Sequence, residues 1–236
     1  MRWDSASLLK IYLIGESVFY GLYIVMTRNI FILYLVSIGL DIPEISIIIL
    51  LSTLASTMVS IIIYKHTKVF LIKIREKSLF FHALEKLIFI PMAYLSDAAA
   101  ITLCYSIANI SSIFSSIYVN LIIYNSFEEA DIKDITAKRT IALNVVNVLG
   151  YIFTMVLMYI LPASMKFQVI FILGGLLGVF STISILAVKI ENVDTIKMFS
   201  QISKPEQLFS TSSFFITLLT SANLLGLVWT PFLVNI

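Results

Sequence analysis

Seven continuous apolar stretches run through this chain, at about residues 8–38, 45–64, 79–95, 98–124, 140–161, 167–188 and 208–236. Each approaches or exceeds the ~20 apolar residues a helix needs to cross a bilayer. Between them the basic residues fall on alternate loops. Thirteen of the 16 lysines and arginines lie on one side: Arg2, Lys10, Lys65, Lys68, Lys73, Arg75, Lys77, Lys133, Lys138, Arg139, Lys189, Lys197 and Lys204. Lys166 alone lies on the other side, and Arg28 and Lys86 lie inside spans. By the positive-inside rule the N-terminus is expected in the cytoplasm, and seven crossings put the C-terminus outside.

A water-soluble alternative lacks polar surface, since 59% of residues are hydrophobic and 13% charged, with a mean hydropathy of +1.00. Barrel strands alternate apolar and polar residues over ~10-residue segments. These runs are continuous and longer, so the expected fold is all-α, a polytopic transmembrane helix bundle in a cell membrane. The first run is too long for a cleavable signal peptide and no small-x-small site follows it. The small net charge of +2 expresses the loop bias, and neither a basic helix nor an aromatic-basic sheet pattern suggests nucleic-acid binding. With one cysteine, Cys104, neither an internal disulfide nor a thiolate metal cluster is available. No cofactor, metal ligand set or catalytic motif is expected: there is no Gly-x-x-x-x-Gly-Lys-Ser/Thr loop for ATP, no His-Glu-x-x-His and no intramembrane aspartate pair.

The loops divide the chain. The longest lies at 191–207, with Lys204-Pro205-Glu206 as a helix break. It separates a six-helix bundle, 1–190, from 208–236, the first helix of an incomplete second bundle. Several segments sharpen this reading. Phe31-Ile-Leu-Tyr-Leu-Val-Ser-Ile-Gly-Leu40, followed by Asp41-Ile-Pro-Glu-Ile-Ser46, resembles the first helix end and outer turn of major facilitator superfamily transporters. Lys138-Arg139-Thr-Ile-Ala-Leu-Asn-Val-Val-Asn147 is similar to the start of that family's fifth helix. The resemblance implies rocker-switch secondary transport of a small organic solute, with the substrate held near midplane between two six-helix halves. This chain would then supply the N-terminal half plus the seventh helix of a truncated or split transporter. Its partners would be the lipid bilayer, a small-molecule substrate and a second half-transporter chain. Residues 226–234 loosely echo residues 25–33, as a starting second repeat would. The chain departs from the family at Ser60-Ile-Ile-Ile-Tyr64-Lys65-His66-Thr67-Lys68, which keeps the basic residues of the second-loop motif and lacks its acidic one. The Gly-x-x-x-Gly-Pro signature of drug-proton antiporters is also missing, since Thr154 stands where the second glycine would be. A non-transporting scaffold or degenerate transporter fragment is the alternative.

Polar stripes mark a candidate pathway. Glu16, Tyr20, Tyr23, Thr27 and Tyr34 share one face of the first span; Thr102, Tyr105, Ser106, Asn109, Ser112, Ser116 and Asn120 one face of the fourth; Asn144, Asn147, Tyr151 and Thr154 one face of the fifth. Such groups either line a hydrated cavity or hydrogen-bond between packed helices. Intramembrane charge points more strongly to function. Arg28 is the leading substrate-binding candidate, able to grip a carboxylate or phosphate bidentately, with Thr27, Asn109, Asn120, Asn144 and Asn147 beside it; its alternative is an ion pair with another helix. An ideal helix turns Arg28 ~120° away from Glu16. Glu16 is the proton-coupling candidate, or else pairs with Lys10 or another basic residue. His82, Glu85 and Lys86 form a gating or structural charge cluster on the third span, and Gly174, Gly175 and Gly178 permit close helix contact.

Overall fold

The computed structural model describes residues 5–66 and 73–187. Among them the chain is wholly helical, in eight elements: α1 (Ser5–Met26), α2 (Phe31–Ser37), α3 (Ile42–Lys65), α4 (Ile74–Leu87), α5 (Phe89–Met92), α6 (Ala98–Ser126), α7 (Glu129–Ile160) and α8 (Lys166–Leu186). Five stretches are long and apolar enough to cross a membrane: Ser7–Ser37, Ile42–Lys65, Ala98–Tyr124, Asp131–Ile160 and Lys166–Leu186. They make the molecule compatible with a multi-pass membrane protein. The expected central loop at 191–207 and seventh span at 208–236 lie outside the described residues.

Two of the expected spans are interrupted. The first is split between α1 and α2 by the turn 27–30, where the Asn29 amide reaches five residues back to the Ile24 carbonyl, 3.0 Å, and Phe31 bonds only three back to Arg28. One wide turn followed by one tight turn is the signature of a helix carrying a local bulge. The expected third span, 79–95, becomes α4 and α5. It starts earlier than apolar content predicts, and Pro91, which lacks an N–H, takes away the donor that the Leu87 carbonyl would have in an unbroken ladder. This crossing does not number among the five long apolar helices. The expected fifth span, 140–161, is α7 and begins at Glu129, because an Asp134–Lys138 pair at 2.8 Å supports a polar first stretch.

Two helix starts are sealed locally. Asp41 accepts from the Glu44 amide while Glu44 bonds back to the Asp41 amide, a complete capping box with Pro43 in the first turn of α3. Asp97 caps α6 through the Ala100 amide, 2.7 Å.

The long helices alternate in direction. α1 and α8 run antiparallel, with Phe19 against Phe180, Tyr23 against Gly178 and Tyr34 against Phe167. α1 and α7 run parallel, with Lys10 meeting Asp131, Glu16 meeting Arg139 and Asn29 meeting Tyr151. The principal pairings are α1 with α8 and α7, α6 with α3 and α4, and α4 with α8. Counting α4–α5 as one crossing, exchange of the first three crossings for the last three maps this pairing onto itself. That is the pattern of a 3+3 inverted repeat.

α4 is built inside out relative to a soluble helix. Ser78, His82, Glu85 and Lys86 are buried, whereas Phe80 and Leu87 face outward. α3 and α7 likewise present Ile47, Leu50, Leu54, Val148, Ile152 and Met155 to the outside. Apolar groups out and charges in is the arrangement that hydrocarbon surroundings favour. The three glycines of α8 make the burial possible. A Cβ on Gly174 would fall 2.8 Å from Met26, one on Gly175 3.0 Å from the Lys86 carbonyl, and one on Gly178 would overlap the Lys86 stem. At the end of the bundle holding α2 and α5, aromatic rings close the core: Phe31 stacks on Tyr105 at 4.2 Å, and Phe89 meets Phe171 edge-on at 5.7 Å.

Candidate functional site

Six ionisable side chains converge inside the bundle, from α1, the 27–30 turn, α4 and α7. Glu85 is the hub of the first group. One carboxylate oxygen accepts from Arg28 Nη2 at 3.1 Å; the other accepts from Lys86 Nζ at 2.5 Å and from Ser115 Oγ at 3.0 Å. Its backbone carbonyl takes the Tyr23 hydroxyl at 2.8 Å. Arg28 also donates through Nη1 to Asn109 Oδ1, 2.8 Å, and through Nη2 to the Ala108 carbonyl, 3.0 Å. The bulge at the end of α1 is what turns this guanidinium inward, away from the direction an uninterrupted helix would give it. Its Nε is buried without a partner among the described residues. Lys86 Nζ lies 4.9 Å from the Tyr20 ring centre and 5.3 Å from that of Tyr23, two adjacent rings, while its stem packs on the glycine face of α8.

The second group surrounds Glu16. Its Oε2 accepts from Arg139 Nη2 at 2.6 Å, and Arg139 Nε donates to Ser17 Oγ at 2.9 Å. His82 lies between the groups, with Nδ1 2.8 Å from Thr182 Oγ1 and Nε2 3.7 Å from Glu16 Oε1, beyond hydrogen-bond reach. Three basic side chains, Arg28, Lys86 and Arg139, thus face two carboxylates. A cavity of about 160 Å³ opens beside this second group, lined by Glu16, Tyr20, His82, Ser115, Ser116, Val119, Asn120 and Arg139. Ser116 and Asn120 are exposed, so the cavity communicates with the outside.

The sequence-derived candidates separate into distinct positions. Glu16, His82 and Asn120 line the cavity. Arg28 and Asn109 are bonded to one another in the Glu85 group, the interhelix ion pair that was the alternative reading of Arg28. Thr27 is fully buried, and its hydroxyl is used by the Tyr23 carbonyl at 2.6 Å. Asn144 is exposed on α7. Asn147 packs against Gly21 with its Oδ1 buried and without a partner among the described residues. Glu16 pairs with Arg139, while Lys10 goes to Asp131 at 2.7 Å. Sequence reading placed Arg139 in a cytoplasmic loop and gave Thr182 no role. The Asp134–Lys138 spacing was the signal that helix α7 already includes Arg139.

No His, Cys, Asp and Glu grouping suited to a metal ion occurs among the described residues. Cys104 is a half-buried free thiol on α6. Comparison with family models, with curated proteins and with solved structures finds no match to this chain.

Proposed function

We propose that this chain is the N-terminal half, with one further helix, of a secondary active transporter of major-facilitator type. In this reading residues 1–190 form a six-helix half in the cell membrane with its N-terminus in the cytoplasm. The complete molecule moves a small organic solute by alternating access. The observation that carries the proposal is the charged cavity between α1, α4, α6 and α7, at a depth where unneeded charge is expensive. The self-mapping helix pairing supports it, because inverted repeats of three helices characterise such halves. The basic stretches of sequence at 65–77 and 133–139 support the orientation.

The saturated Glu85 group favours a second reading. Arg28, Lys86, Ser115 and Asn109 consume one another's hydrogen bonds, as in a scaffold whose charges hold helices together. Uptake of labelled anionic, zwitterionic and neutral solutes into proteoliposomes separates the two readings. The chain is assayed alone and with a second half-transporter chain, beside Arg139→Gln. Uptake lost in Arg139→Gln is the expected result. Absence of uptake in every condition, with folded protein in the vesicles, would overturn transport in favour of the scaffold.

A further inference from the structure

We propose that the cavity beside Glu16 and Arg139 binds a small zwitterion, with the ligand's ammonium on Glu16 and its carboxylate on Arg139. The inference deepens the transport reading by naming the class of solute.

The two walls of the cavity carry opposite charge and each keeps one unused group. Of the Glu16 carboxylate, Oε2 is held by Arg139, whereas Oε1 has only His82 Nε2 near it, at 3.7 Å. Of the Arg139 guanidinium, Nε and Nη2 are occupied by Ser17 and Glu16, and Nη1 makes no hydrogen bond among the described residues. An open acceptor and an open donor therefore face one space. A lone anion meets the Glu16 carboxylate there, and a lone cation meets Arg139. A molecule carrying both charges meets neither repulsion, and its carboxylate gains a charge-assisted hydrogen bond from the open Nη1 of Arg139. Ser116 and Asn120, one helical turn apart on α6, add hydrogen-bonding groups along the wall.

Volume narrows the class further. At about 30 Å³ per water in the liquid, the cavity of about 160 Å³ equals about five waters. That is room for a solute of amino-acid or betaine size. Val119 provides the apolar wall for a short side chain. Arg28, the leading candidate from sequence, is committed to Glu85, Asn109 and Ala108 and is not among the cavity's lining residues.

The test is equilibrium binding to the full chain in lipid nanodiscs. The probes are the twenty standard L-amino acids and glycine betaine, followed by the deaminated acid and the decarboxylated amine of any that bind. At least one zwitterion is expected to bind, with its two singly charged analogues weaker by about tenfold or more. Glu16→Gln and Arg139→Gln should each weaken binding by a similar factor, and Arg139→Lys should restore part of it. Val119→Phe fills the cavity without touching a charge, so it should abolish binding while the protein still elutes as a folded species. Failure of every zwitterion to bind folded protein, or an acid binding as tightly as its amino acid, would overturn the proposal. Binding without uptake would support the site and overturn transport. Uptake of a singly charged or neutral solute without zwitterion binding would overturn the site and leave transport standing.

Discussion

Glu85 neutralises two cations, the fully buried Lys86 and the largely buried Arg28. Removing it as Glu85→Ala leaves Arg28 and Lys86 buried against each other. Loss of one partner from a buried pair costs about 3–5 kcal/mol, and unfolding by detergent titration should register a loss of that order. Replacing both members of the closest pair, Glu85→Leu with Lys86→Met, should recover much of it, because well-packed apolar groups often replace a buried pair without loss. A double variant as unstable as the single one would show that Arg28, still unpaired, dominates. The presence of this charge inside the third span is legible in the sequence, since His82, Glu85 and Lys86 stand at helical spacing. Their partners are not. Arg139 reads as one more loop cation until α7 is seen to begin at Glu129, and the turn that aims Arg28 at Glu85 contains neither proline nor glycine to announce it.

At the scale of helices, the close approach of α8 to α1 and α4 rests on Gly174, Gly175 and Gly178. The methyl of Gly178→Ala would meet the Cβ and Cγ of Lys86, which are stem atoms with little freedom to retreat. Overpacking of this kind costs about 1–3 kcal/mol. Gly15→Ala on α1 is the control: its nearest neighbour is Ser184 Oγ at 3.7 Å, an ordinary contact. The melting temperature in detergent should fall for Gly178→Ala and hold or rise for Gly15→Ala, where the helix interior gains a better helix former. Long apolar runs predict α3, α6 and α8 to within a few residues, because one physical requirement, the thickness of hydrocarbon, sets their length. The same criterion misplaces the starts of α4 and α7, whose first turns are polar and are held by ion pairing and helix geometry instead.

For the molecule as a whole, the alternating directions of the crossings make orientation testable. In a Cys104→Ser background, a cysteine at Ser164, in the turn between α7 and α8, should react with an impermeant maleimide from outside intact cells. One at His66, at the end of α3, should react only after permeabilisation. The reverse pattern would place the N-terminus outside. Five of the seven expected spans return as long apolar helices, because each carries its own continuous apolar run in the sequence. The pairing of α1 with α7 and of α3 with α6 is not visible there, because outward faces here are as apolar as inward ones and periodicity alone does not say which side meets protein.

The inside-out build of α4 bears on how the chain is made. A helix that must bring Glu85 and Lys86 to its inner face, and that is interrupted by Pro91, is poorly suited to leave the translocon alone, since lysine at a helix centre opposes insertion by about 2.5–3.5 kcal/mol. Its principal partners are α6 and α8, and both are synthesised after it. If the chain inserts through a translocon, α4–α5 would therefore wait there until the later helices emerge. A glycosylation-mapped series of nascent chains should find α4 unstably inserted when synthesis stops before α6 and secure once α8 has followed. On that route the order of ribosomal synthesis and the order of assembly would be different sequences of events.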